Sequence, residues 1–151
     1  MAEGATIHAT AVLIGAKAVL IRGPSGSGKS QLAWALIQPN ALPFTRLVGD
    51  DRVHLEAAGG RLLVRPAPAL AGLIEIRGLG IRRLPYEPAA VIGLVVDLAA
   101  ADAARFPAED AAATTISGVR LPRLAVAPDQ APLPAVLAWL GTAAAPSPPA
   151  D

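Results

Sequence analysis

Apolar and polar positions recur along this chain with two different periods, and the changes of period mark its elements. IHATAVLIGAKAVLI carries an apolar run on either side of Gly15-Ala16. That predicts a hairpin of one strand from Thr6 to Ile14 and another from Lys17 to Arg22. In QLAWALIQ, Leu32 and Leu36 lie one helical turn apart with Ala33 and Ile37 beside them, and Pro39 stops that helix. FTRLVGDD reads as a strand ending in two carboxylates. RVHLEA and RLLVR flank Gly59-Gly60, a second hairpin signal. APALAGL, from Ala67, reads as a short helical stretch, and IEIRGLGI as a strand-like run broken by Gly78 and Gly80. AAVIGLVVDL, from Ala89, is apolar at almost every position, the pattern of a central strand buried on both faces. ISGVRLPRLAV, from Ile116, is a further strand broken at Pro122, and LPAVLAWLG, from Leu133, is a final short helix ending at Gly141.

These elements make an α/β chain with a mixed, hairpin-rich sheet and few helices, unlike a regular βαβ array. With 151 residues it fits one domain, expected over 1–142, and a Pro/Ala-rich tail over 143–151 reads as disordered. Hydrophobic residues at 53% against 17% charged exclude disorder of the whole chain. Aromatic residues at 3% argue against base-stacking platforms, and a net charge of +1 sets up no field for a polyanion, so no nucleic-acid partner is indicated. The absence of cysteine excludes disulfides, thiolate metal sites and a cysteine nucleophile. The first residues carry Glu3 and no basic stretch, and the longest apolar run contains Asp97. The expectation is a cytoplasmic protein with no membrane partner.

Chemistry concentrates at Gly23-Pro24-Ser25-Gly26-Ser27-Gly28-Lys29-Ser30. This is a complete phosphate-loop pattern with a strand before it and a helix after it. Glycines let the backbone fold around a β-phosphate with its N–H groups turned inward, and the helix start adds partial positive charge. Lys29 can reach the β- and γ-phosphates, and the Ser30 hydroxyl can bind Mg²⁺. In a chain of this composition chance yields about one such match per thousand shuffled sequences, so nucleotide binding outweighs a helix-capping turn.

Phosphoryl transfer also needs a carboxylate, for metal or for the acceptor's proton. Two strand ends offer one, Asp50-Asp51 after RLVG and Asp97 after AVIGLVV. The apolar pattern favours Asp97 as the Walker B residue. The adjacent pair has the chemical advantage that one carboxylate can organise the site while the other takes a proton. Spacing leaves both open, and a polar turn is the bland alternative for the pair. Glu75 and Arg77 alternate with Ile74 and Ile76, which would put both on one strand face, as a cross-strand ion pair or as part of a phosphate and metal site. His8 and His54 lie on strands, where a lone histidine is usually only partly buried packing.

Taken together, His8 at the start of a hairpin, GPSGSGKS, LVGDD, LIEIRGLGI and GVRLPRLAV resemble, in order, the catalytic domain of HPr kinase/phosphorylase. The run from Leu73 to Ile81 looks like that family's own signature, and coverage extends from Thr6 to Val126. The resemblance implies a phosphate-loop α/β fold related to phosphoenolpyruvate carboxykinase, with ATP and Mg²⁺ as cofactors. It implies phosphate contact at Lys29, Mg²⁺ at Ser30 and Glu75, proton transfer at Asp51 with Asp50 beside it, and a catalytic His8. The implied partner is the phosphocarrier HPr of the phosphotransferase system, phosphorylated on serine. Three departures stand out. No separate N-terminal domain fits in this length. Only RRLPYEP follows the signature, where the family has a longer loop with a catalytic Arg, so Arg82 or Arg83 would have to serve, with Arg77 a separate catalytic candidate. The C-terminal helices are reduced to LPAVLAWLG. The expectation is therefore a shortened form in which kinase chemistry is favoured over reverse phosphorolysis and the homo-oligomer is left open. Two rivals are kept, a phosphate-loop kinase with a small-molecule acceptor and an ATP-sensing module that transfers nothing.

Overall fold

The computed structural model describes residues 5–38 and 42–145. The helix stop expected at Pro39 and most of the tail expected over 143–151 lie outside the described residues. Along the chain come β1 (Thr6–His8), β2 (Thr10–Ile14), β3 (Lys17–Arg22), α1 (Lys29–Ile37), β4 (Thr45–Gly49), β5 (Arg52–Ala58) and β6 (Arg61–Pro66). A single 3-10 turn (Pro68–Leu70) follows, then β7 (Leu73–Ile76), β8 (Gly80–Arg83), β9 (Ala90–Asp97), β10 (Ala113–Ile116), β11 (Val119–Ala125) and α2 (Pro132–Gly141). No helix among the described residues is long and apolar enough to cross a membrane.

Nine strands form one mixed sheet along the path β1-β5-β6-β9-β3-β2-β4, with β11 added to β9 and β10 to β11. β9 is the hub that its apolar pattern predicts. It runs parallel to β3 on one edge, and its other edge is shared by β6 near Ala90 and β11 near Asp97. Alternation along β3 sends Ala18 and Leu20 to one face and Val19 and Ile21 to the other, and both faces are buried. One face is closed by the curl of the sheet, through Val53, Leu62 and Val64. The other is covered by α1 through Leu32 and Leu36, by Ile74 of β7 and by Val136 of α2. Burial of this apolar surface, about 25 cal/mol per Å², is what holds the layers together.

Four expectations need correction. The strand expected from Thr6 to Ile14 divides at Ala9, where the chain leaves β5 and joins β3 and β4. The Ala9 N–H bonds the Asp51 carbonyl at the changeover. Apolar pattern cannot signal such a change of partner, because both halves stay buried on the same side. The stretch from Ala67 makes only the one 3-10 turn, since Pro68 and Gly72 bracket too few residues for a helix. The signature run is a separate two-stranded hairpin, β7–β8, and Arg77 lies in its turn rather than on a strand beside Glu75. Pro122 does not interrupt β11. Arg123 N–H donates to Ala112 O, so the register turns the Pro122 nitrogen away from β10, and pairing with β9 begins only at Arg123.

Candidate active site at the phosphate loop

β3 ends at Arg22, and the next six residues turn the chain into α1 at Lys29. Gly28 caps the helix at φ 98°, a left-handed conformation that a side chain would strain. No side chain caps the first N–H groups of α1, and no acid occupies its first turn. The Ser27 hydroxyl is buried without a partner. Lys29 is 7% exposed, and its ammonium donates to the carbonyls of Gly23 at 2.9 Å and Pro24 at 3.1 Å. Burial pulls its pKa down, and the charges of Asp51 and Asp50 oppose that pull. An uncapped helix start, a partnerless hydroxyl and a buried cation are a donor set suited to a chain of phosphates.

Across a cleft of about 810 Å³ lies the end of β4. Gly49 leads into the two carboxylates, and it must be glycine because a Cβ there would sit 2.8 Å from Val53 and 3.1 Å from the Pro66 backbone. Asp50 and Asp51 then diverge completely. Asp50 is 4% exposed and its carboxylate is saturated. It accepts from Thr10 Oγ1 at 2.8 Å, Ser30 Oγ at 2.6 Å and the Glu75 N–H at 3.1 Å. One buried carboxylate thereby ties together β2, the start of α1 and β7. Asp51 points into the cleft with its side chain 63% exposed, 2.9 Å from His8 Nε2. Its φ is 71°, a left-handed conformation that costs about 1–3 kcal/mol and concentrates at functional sites. The division of β1 from β2 at Ala9 is what seats both contacts, with His8 against Asp51 and Thr10 against Asp50.

The β7–β8 hairpin forms the third wall. Glu75 and Arg77 both line the cleft, although they do not share a strand face and form no ion pair with each other. Arg77 lines the cleft, whereas neither arginine expected to stand in for the loop arginine does. Arg82 and Arg83 sit on β8 outside it, and Arg83 faces a shallow groove beside Tyr86. Ser30 and Glu75 both line the cleft and offer oxygen donors of the hard type that Mg²⁺ takes.

Asp97, the rival at the other strand end, is engaged elsewhere. Arg22 grips it with Nε at 2.7 Å and Nη2 at 2.8 Å, and Arg123 Nε adds a third bond at 2.6 Å. It does not line the cleft. Burial works against its charge, but the bonds from Arg22 and Arg123 outweigh burial and hold the carboxyl below the usual carboxylate range. Three site residues escaped the sequence reading. Thr10 is fully buried and was readable only as a lone polar position in an apolar run. Trp34 and Leu79 line the cleft, 38% and 62% exposed, and their patterns resemble core positions on a helix and a strand.

The model of the HPr Serine kinase C-terminal domain matches residues 1–127. The HPr kinase/phosphorylase of Mycoplasma mycoides subsp. mycoides SC is 45% identical over 74 residues, 49% of this chain and 22% of that protein. That of Streptococcus thermophilus is 44% identical over 82 residues, 54% of this chain and 25% of that protein. The chain thus matches about a quarter of these relatives' length or less. Among solved structures, the Hpr(Ser) kinase/phosphatase from Coxiella burnetii superposes with a TM-score of 0.71 at 25% identity, covering 90% of this chain and 93% of that one. With the family model matched over residues 1–127, and the phosphate loop, Asp51 and the β7–β8 hairpin on one cleft, the chain belongs to the HPr serine kinase C-terminal domain family.

Proposed function

We propose that this chain transfers the γ-phosphoryl group of ATP to a serine hydroxyl of an HPr-type phosphocarrier, with Asp51 as the base. The observation that carries the reading is the His8–Asp51 pair, exposed to the cleft that the phosphate loop lines. The backbone N–H groups of the loop and α1 hold the phosphates. Lys29 exchanges its loop carbonyls for phosphate oxygens and neutralises charge on the transferring group. Ser30 and Glu75 would hold Mg²⁺, which would supply charge neutralisation for the phosphates. Asp51 accepts the serine proton as the hydroxyl attacks. His8 donates to the Asp51 carboxylate and fixes its direction. Asp50 is committed to Thr10, Ser30 and Glu75, so it organises the site without entering the reaction. Arg77, at the cleft edge, is the arginine available to the transferring phosphoryl group.

The test is intact-mass and fragment spectrometry of HPr incubated with the chain, ATP and Mg²⁺. The expected result is one phosphoryl group on a serine, lost with Asp51→Asn while Mg-ATP affinity holds. Unmodified HPr alongside tight Mg-ATP binding would overturn the acceptor assignment. It would leave a small-molecule kinase or a nucleotide sensor, and phosphate release or transfer in metabolite extracts separates those two.

A further inference from the structure

The bonds around Asp97 form a network that phosphoryl transfer as described does not use. Arg123 holds Asp97 through Nε, and with its remaining nitrogens it reaches Asp102 at 2.8 and 2.9 Å and the Ala111 carbonyl at 3.0 Å. Asp102 and Ala111 lie in the segment that joins β9 to β10. Arg22 holds Asp97 from the other side in a two-bond fork. Asp97 thus sits between two guanidiniums, one on β3 and one on β11. The backbone repeats the same links, with Leu98 N–H on Arg22 O, Val126 N–H on Asp97 O and Ala100 N–H on Val126 O.

The position of this network is what gives it consequence. Arg22 is the last residue of β3, and Gly23 opens the phosphate loop. A Cβ on Gly23 would lie 3.1 Å from Leu98 Cβ and 3.3 Å from Leu98 O, so the first turn of the loop rests directly on the residue after Asp97. The loop springs from a floor whose three strand ends, β3, β9 and β11, are clamped by one carboxylate. Both Asp97 oxygens are taken by guanidinium N–H groups, so it has no free face for a metal.

We propose that Asp97 is a positioning residue for the nucleotide: by holding Arg22 against Arg123 it fixes the strand exit that sets the place of the phosphate loop. This rests on the nucleotide-binding reading of the loop. Without the carboxylate charge, two guanidiniums face each other across β9, and their repulsion acts on the residue next to Gly23. The loop's N–H groups then no longer converge on the same point, and a small misplacement is costly where several donors must meet one ligand.

The experiment is calorimetric titration of Mg-ADP, which reads binding without transfer, into the unaltered chain, Asp97→Asn and Asp97→Glu, alongside the melting temperature and Mg²⁺ dependence of each. Asp97→Asn is expected to weaken Mg-ADP about tenfold in protein that is still folded, with Asp97→Glu recovering most of the loss and the Mg²⁺ dependence unchanged. In kinetics the loss falls on KM for ATP and leaves kcat within about threefold. Unchanged affinity in folded Asp97→Asn would overturn the proposal in favour of a purely structural clamp. A shifted Mg²⁺ requirement would overturn it in favour of a metal ligand. Should Asp97→Asn fail to fold, Asp102→Asn loosens the network from its exposed end. An affinity loss of about threefold there supports the proposal, and no loss overturns it. If the unaltered chain does not bind Mg-ADP, the nucleotide reading falls along with the clamp. A loss confined to the variants leaves that reading intact.

Discussion

Two strand ends in this molecule look alike in sequence, and they have been put to opposite uses. β9 ends in Asp97 and β4 runs straight into Asp50-Asp51, and both ends deliver carboxylates beside the phosphate loop or its flanks. At β9 the carboxylate meets two guanidiniums and its charge is cancelled on the spot. At β4 the first carboxylate meets only hydroxyls and an N–H, and the second meets one imidazole and open solvent. The lesson is that a carboxylate's role follows from the charge of its neighbours. Arginine forks convert an aspartate into structure, whereas neutral donors hold one in place and leave its neighbour free to react.

The largest test of that contrast is at Asp51. Replacing it with Asn keeps the left-handed backbone tolerable but removes the base, and turnover with HPr should fall by about 10²–10⁴. Asp51→Gly should lose activity to the same degree while gaining up to about 1 kcal/mol of stability, because it relieves the strain at φ 71°. Thermal melts of both variants beside their turnover check this. A marked loss of stability in Asp51→Gly would show that its side chain is a structural member, like Asp50.

Asp50 should behave in the opposite way. Asp50→Ala leaves the Thr10 and Ser30 hydroxyls and the Glu75 N–H without their shared acceptor. It should cost about 2–4 kcal/mol in urea unfolding, the loss of three bonds being offset in part because a charge is no longer buried. Thr10→Val removes only one of those donors, and keeps the shape, so about 1 kcal/mol is expected. A Thr10→Val cost as large as that of Asp50→Ala would mean that the pocket behaves as a single unit rather than as separate bonds.

How much of this was legible beforehand follows the same divide. The phosphate loop could be read outright because its chemistry is local, with eight consecutive residues carrying both the backbone conformation and the donors. The choice between Asp51 and Asp97 could not be read from pattern, because it turns on contacts 26 and 75 residues away, at Arg123 and Arg22. The resemblance to a family favours Asp51, and the two arginines that engage Asp97 support the same proposal. The break at Ala9 was also hidden. A strand that exchanges one partner for another keeps its apolar alternation, yet this exchange is what brings His8 to Asp51 and Thr10 to Asp50. Arg77 was placed on the wrong kind of element for a similar reason, since Gly78 and Gly80 fit a broken strand as well as a tight turn.

The smallest effect, and the one that separates the two aspartates without touching activity, lies in the acid limb of stability. Arg22 and Arg123 overcome burial and depress the Asp97 pKa below its unfolded value, about 3.9. A group depressed in the folded state contributes stability that is complete above its unfolded pKa and drains away as pH falls through the folded one. The Asp97 contribution should thus be intact at pH 5–7 and lost progressively below about pH 4. Asp102, also depressed through Arg123, adds to the same limb, but its exposure lets salt screen it. Melting temperatures followed from pH 6 to pH 2.5 should fall more steeply for the unaltered chain than for Asp97→Asn, which has no proton to take up at this site. Parallel curves for the two would mean that the Asp97 carboxyl titrates alike in the folded and unfolded chain, and the fork of Arg22 and Arg123 would then account for none of the difference between the two strand ends.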